Sequence, residues 1–299
     1  MKTRRWILIA VVAGAFGGSY ALKRGTAVPA ATAPSTPKPA SRVVSLAPSI
    51  TEVLFALGLG DRVVGVTRYC EFPPEARSKP IVGGYYDPNY EAIVRARPDL
   101  VATLPEHDDL QPELRKLGFP GVTVDHRSVR GILESLSTLS ACCGAPEKGT
   151  ALRASLEARI RRVGERTSGL SRPRVLVSIG RMAGDGTMTR ITGCGPGGFF
   201  DELINLAGGV NALEPGIDFP AFSPEGLLKV DPDVIVDLWP DLHQTKLDGD
   251  AIRRLWKALP GVRARIEVIG ETYALVPGPR VVLLLEDFAR ALHPEVPHD

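Results

Sequence analysis

One stretch of this chain is written twice. Asn89-Tyr-Glu91-Ala-Ile-Val-Arg-Ala-Arg-Pro98-Asp99-Leu-Val-Ala returns as Ser223-Pro-Glu225-Gly-Leu-Leu-Lys-Val-Asp-Pro232-Asp233-Val-Ile-Val. Both copies open on a residue suited to cap a helix and place Glu two positions later. Both then carry an apolar pair and a base, stop at Pro-Asp, and run into apolar residues suited to a strand. A looser echo pairs Glu52-Val-Leu-Phe-Ala-Leu-Gly58 with Glu202-Leu-Ile-Asn-Leu-Ala-Gly208. A chain that repeats a helix–strand unit in its two halves is expected to build two similar lobes.

The rest of the pattern agrees. Strands are expected at Arg42–Leu46, Arg62–Thr67, Leu100–Thr103 and Val122–Val124, alternating with helices at Ser49–Leu59, Asn89–Arg97, Leu110–Leu117 and Ser128–Cys142. This alternation predicts an α/β fold with a mainly parallel sheet and helices on both faces. Ala145–Leu170 breaks the rhythm. Leu152, Leu156, Ile160, Val163 and Leu170 fall at helical spacing with arginines between them, which predicts one long helix before strand Arg174–Ile179. The expected organisation is an N-terminal lobe at 41–144, a linking helix at 145–171 and a C-terminal lobe at 172–299.

Three bases precede a 17-residue uncharged run, Trp6–Leu22. That is the layout of a signal peptide or an uncleaved membrane anchor, assigned to residues 1–26. Residues 27–40 are dominated by Ala, Pro, Ser and Thr and read as a linker. The chain is therefore expected to be periplasmic or otherwise extracytoplasmic, anchored to the inner membrane by residues 6–22 if the segment is not cleaved. The first 40 residues hold six bases and no acid, so the formal net charge of +2 turns negative over the remainder. Nucleic-acid binding through bulk positive charge is disfavoured. Cys70, Cys142, Cys143 and Cys194 show no zinc-site spacing and read as buried or lightly paired thiols. His107, His126, His243, His293 and His298 form no HxH or HExxH pattern, which disfavours a directly ligated bare metal ion.

Arg42-Val-Val-Ser-Leu-Ala-Pro-Ser-Ile-Thr-Glu52, Gly65-Val-Thr-Arg-Tyr-Cys-Glu-Phe-Pro-Pro74, the Glu91–Asp99 segment and Pro277-Gly-Pro-Arg280 together resemble the helical-backbone periplasmic binding proteins. These are substrate-binding subunits of ABC importers for cobalamin, ferric siderophores and haem. Tyr-x-x-Phe-Pro-Pro followed by the Glu–Pro-Asp helix looks most like the cobalamin branch. The resemblance implies two Rossmann-like lobes joined by a single long backbone helix, with the ligand cleft between them; a single rigid connector of that kind predicts only small lobe motions. It also implies a non-enzymatic chain with no resident cofactor, its cargo being cobalamin or another metal chelate. The implied partner is an ABC permease dimer.

Loops expected at the carboxyl ends of strands carry Tyr69, Tyr85, Tyr86, Phe219, Trp239 and Tyr273. A single loop aromatic is more often a lid on the core, but several at one sheet edge suit a bulky, partly apolar ligand. In the resemblance, Tyr69, Tyr85, Phe219 and Tyr273 match positions that flank a flat macrocycle, with Tyr85 and Phe219 standing where a cobalamin binder carries tryptophans. Cys70, beside Tyr69, reads as an inert small residue, although contact with a bound chelate is the alternative. Glu91 and Glu225 are expected in first helical turns, where an acid complements the helix dipole. The resemblance gives both a second role, pairing with arginines on the two permease copies. The rival is an enzyme. Gly193-Cys-Gly195-Pro-Gly-Gly198 fits G-x-G-x-x-G after a strand and before helix Phe199–Ala207, with Asp218 placed as a ribose-binding acid. Pro196 and the lack of a following strand count against it. A sensor built on the same lobes is a third reading.

Overall fold

The computed structural model describes residues 38–184, 187–240 and 248–297. The expected leader at 1–26, most of the linker, His243 and His298 lie outside these residues. Among the described residues no helix is long and apolar enough to cross a membrane. The chain forms two compact α/β units.

The first unit holds residues 38–159 together with Val276–Arg280. Its strands β1 (Val43–Ser45), β2 (Val63–Val66), β3 (Leu100–Thr103) and β4 (Gly121–Thr123) form one parallel sheet in the order β2-β1-β3-β4. β1 and β3 are buried along their whole length, as apolar runs in a sheet covered on both faces should be. Helices α1 (Pro48–Ala56), α2 (Tyr90–Ala96), α3 (Gln111–Lys116) and α4 (Val129–Cys142) follow the strands in turn. Val44, Leu46, Val82, Ile93, Val101 and Leu114 make one core cluster against this sheet. The order reverses at β1, so a crevice is expected between the carboxyl ends of β1 and β3.

Helix α5 (Pro146–Thr167) is 22 residues long, about 33 Å at 1.5 Å per residue. It buries Leu156 and Val163, and the boundary between the two units falls within it, between Arg159 and Ile160. It stops short of Leu170 because Thr167 turns back onto Val163 and Gly169 takes φ +78°, a left-handed exit that suits glycine.

The second unit holds Ile160–Leu275 and the chain from Val281 onward. Its six strands are β5 (Arg174–Gly184), β6 (Thr187–Gly193), β7 (Val210–Asn211), β8 (Ala221–Phe222), β9 (Val234–Leu238) and β10 (Arg265–Ile269). The sheet runs β10-β9-β5-β6-β8, with β7 also on β5. β10, β9 and β5 are parallel, whereas β6 is antiparallel to both β5 and β8. The sheet is therefore mixed, and its antiparallel half was not legible in the strand–helix rhythm. Helices α6 (Phe199–Leu206), α7 (Pro224–Val230), α8 (Gly249–Lys257) and α9 (Val281–Leu292) complete the unit. Trp256 is fully buried among Leu176, Ile191, Ile235 and Ile252 in the core.

Candidate functional site

In the first unit, the segment after β2 is laced to the turn that carries the two tyrosines. Arg68 N–H donates to the Gly83 carbonyl at 2.9 Å, and its guanidinium pairs with Asp87 at 2.9 Å. Gly84 N–H donates to the Asp87 carbonyl at 3.0 Å, closing the turn. Glycine is required at Gly83: φ is +115°, and a Cβ would lie 2.5 Å from the Asn89 nitrogen. This turn holds Tyr85 half-buried and Tyr86 at 42% exposure, their rings 4.7 Å apart and nearly perpendicular. Tyr85 also lies edge-on to His107, centroid to centroid 4.7 Å.

His107 is buried beside the two tyrosines at the carboxyl end of β3, on the switch-point side of the sheet. Its Nδ1 accepts the Leu104 N–H at 3.1 Å, which leaves the proton of the neutral ring on Nε2. Burial holds its pKa down at about 4, against a weaker upward pull from the Tyr85 backbone. His126, following β4, is buried as well. It shares a 2.8 Å hydrogen bond with Ser49 Oγ on α1, and burial likewise lowers it to about 4, with Asp125 pulling the other way. Tyr69 is half-buried in the Arg68 segment, the guanidinium 5.9 Å from its ring centre. Tyr69, Tyr85 and Tyr86 thus belong to two segments that the structure ties together.

Cys70 sits beneath, buried, accepting from Thr51 Oγ1 at 3.1 Å, and burial pushes its thiol up. Among the described residues all four cysteines are free and buried. No group of three metal-ligating side chains converges among the described residues.

One feature of this unit has no local sequence signal. Arg280, from the loop Val276–Arg280, reaches Glu52 on α1 with Nε at 2.8 Å and Nη2 at 2.6 Å from the two carboxylate oxygens. Its guanidinium also lies 3.8 Å from the Phe72 ring centre. Burial pushes the Glu52 carboxyl up, and Arg280 pulls it back. The partners are 228 residues apart, although both fall in segments that carry the family resemblance.

In the second unit, Trp239 directly follows β9 and donates its backbone N–H to the Ile269 carbonyl at 2.8 Å. The Arg181 guanidinium covers one face of its ring at 4.0 Å. Arg181 in turn pairs with Asp237, which also accepts the Trp256 indole N–H at 2.7 Å. Asp237 is wholly buried. Desolvation pushes it up, with Arg181 and Trp256 opposing. Trp239 therefore rests on a buried ion pair rather than on a loop alone. Tyr273 follows β10 and donates its hydroxyl to Asp287 on α9 at 2.6 Å. Burial, then Asp287, push its phenol well above its ordinary range. Phe219 is half-buried on the loop between β7 and β8. These three aromatics stand on three separate loops.

The glycine-rich run Gly193–Gly198 is a packing site. Gly193 and Gly195 N–H groups donate to the carbonyls of Pro220 at 2.9 Å and Asp218 at 2.7 Å. A Cβ at Gly195 would lie 2.2 Å from the Ile217 carbonyl oxygen, so glycine is there to admit the 216–222 loop. The Asp201 carboxylate accepts the Gly197 N–H at 3.0 Å, placing a negative charge where a pyrophosphate would sit. The strand leading in, β6, is antiparallel to β5, whereas a dinucleotide fingerprint needs a parallel one. Asp218 gives its carbonyl to this packing.

Glu91 and Glu225 are exposed in the first turns of α2 and α7. Asn89 and Ser223 cap those helices, accepting from Ala92 N–H at 2.9 Å and Gly226 N–H at 3.4 Å. A hydrogen bond from Ser223 holds the Glu225 carboxyl below its usual range.

Comparison with known proteins agrees with this architecture. The vitamin B12-binding protein of Vibrio cholerae is 31% identical over 202 residues, 67% of this chain and 71% of that protein. An ABC transporter substrate-binding lipoprotein of Bacillus subtilis, YvrC, is 26% identical over 276 residues, 86% of this chain and 82% of its own. The solved structure of the periplasmic heme-binding protein RhuT from Roseiflexus sp. RS-1 superposes with a TM-score of 0.69 at 27% identity, covering 84% of this chain and 99% of that one. The family profile described as periplasmic binding protein matches residues 43–265, and the chain belongs to that family.

Proposed function

We propose that this chain is the extracytoplasmic substrate-binding subunit of an ABC importer and that its cargo is a metal chelate, cobalamin first. The observation that carries the ligand class is the Tyr85–Tyr86 pair, set on a glycine-locked turn at the switch-point edge of a parallel sheet. Flat aromatic faces, with no convergent set of metal ligands among the described residues, suit a chelate that brings its own metal. Vitamin B12 binding by the Vibrio cholerae relative supports cobalamin. Haem or a ferric siderophore is the second reading, supported by the heme-binding structural relative and by tyrosine and phenylalanine at positions 85 and 219.

Tyr69, Tyr85 and Tyr86 on the first unit, with Phe219, Trp239 and Tyr273 on the second, form the ligand-binding set. Glu91 and Glu225 dock the permease, and residues 6–22 tether the chain to the membrane if they are not removed. The test is calorimetric titration of residues 41–299 with cobalamin, haem and a hydroxamate siderophore. Saturable binding of cobalamin with weaker binding of the others is expected. Binding of none of the three, with saturable binding of a nicotinamide cofactor, overturns the reading.

A further inference from the structure

The two copies of the repeated helix agree in more than their glutamates. Along α2 and α7 the accessibility profile is the same at each matched position: Glu91 and Glu225 exposed, Ile93 and Leu227 buried, Val94 and Leu228 exposed, Arg95 and Lys229 exposed. Val94 is 45% and Leu228 47% exposed, which puts both among the large apolar side chains most open to water in the described residues. At about 100° per residue, positions i, i+3 and i+4 fall on one helix face. Each unit thus presents outward the same triplet of acid, branched aliphatic and base. Neither aliphatic is needed by the core beneath it, because Ile93 and Leu227 fill that place. A Cβ on Gly261 would lie 2.6 Å from Leu228 Cδ2, so the glycine leaves room for this side chain.

We propose that Val94 and Leu228 are a matched pair of apolar anchors, one on each unit, that insert into equivalent apolar pockets on the two copies of a two-fold symmetric membrane permease. This rests on reading the chain as an importer subunit. The partner chemistry follows from the triplet: an arginine or lysine to meet each glutamate, beside an apolar depression that takes the aliphatic. Two triplets of the same chemical pattern on one chain suit two identical receptors. The roles divide physically, since an exposed rim carboxylate mainly steers encounter, while a desolvated apolar side chain mainly slows dissociation.

The test measures docking of the full chain onto its importer in nanodiscs by biolayer interferometry, at low and high salt. Val94→Ser with Leu228→Ser is expected to raise the dissociation rate about tenfold while leaving the association rate within about twofold at both salts. Glu91→Ala with Glu225→Ala is expected to slow association and remove its salt dependence. Val94→Thr with Leu228→Asn, close in size and equally exposed, guards against any misfolding and should give the same dissociation change with an unaltered melting curve. An unchanged dissociation rate in both aliphatic double variants overturns the proposal. So does wild-type self-association in sedimentation that the variants abolish without affecting docking, since the face then belongs to a second copy. Failure of the wild-type chain to dock at all strikes the importer reading itself and is thereby distinguished from failure of the anchors.

Discussion

Tyr85 meets His107 edge to face at 4.7 Å, so part of the proposed binding surface stands on a histidine that must stay neutral to remain buried. His107 and His126 both fall from 6.5 to about 4 on folding, chiefly through desolvation. Between those values the unfolded chain binds protons that the folded chain refuses. Stability is therefore full above about pH 6.5 and falls as pH drops toward 4. Each buried histidine contributes on the order of 3 kcal/mol to that fall. Denaturant unfolding at pH 7 and pH 4.5 should show the loss, and His126→Asn should flatten the slope. For the aromatics, Tyr85→Ala and Phe219→Ala are each expected to weaken chelate binding by roughly 1–3 kcal/mol in calorimetry. Unchanged affinity in both would remove those rings from the site.

The repeated helix–strand element explains itself once its carboxylates are located. Asp99 accepts the Arg42 N–H at 2.8 Å and the Ser41 N–H at 2.9 Å, and Asp233 accepts the Arg174 N–H at 2.7 Å. The same arginines reach the ends of the preceding helices: Arg42 to the Ala96 and Arg97 carbonyls, Arg174 to the Val230 carbonyl. Both helices end in a left-handed residue, Arg97 at φ 46° and Asp231 at φ 43°, which turns the chain into Pro-Asp. Each Pro-Asp is thus a clasp between a helix end and the start of a neighbouring strand. Burial pushes the Asp99 carboxyl up, but the Ser41 and Arg42 hydrogen bonds outweigh it and hold it low. Asp99→Ala is expected to cost about 1–3 kcal/mol, because charge-assisted bonds to strand amides are lost. A thermal melt that matches wild type would show the clasp to be dispensable.

At the scale of the whole chain, the two units carry matching carboxylates, Glu91 on one and Glu225 on the other, each spent locally on little more than its helix terminus. Replacing both with alanine should leave the melting temperature and chelate affinity near wild type while weakening permease capture in nanodisc pull-downs, through slower association. Normal uptake by the double variant would return both residues to the role of complementing helix dipoles.

Much was legible in the residues alone. The period of apolar positions, the Pro-Asp stops and the capping residues are local signals, and they placed α2, α7, β3, β9 and the long α5 close to where they lie. The parallel sheet of the first unit followed from the same rhythm. What the residues could not announce were pairings between distant parts of the chain. Arg280 on Glu52 and Arg181 between Asp237 and Trp239 each depend on long-range contacts that leave no periodic trace. The glycine-rich run makes the point most sharply. Its spacing matched a phosphate loop, but only the tertiary structure set the 216–222 loop against Gly195. A motif records which backbone shapes are allowed; what fills the space beside them is decided by packing.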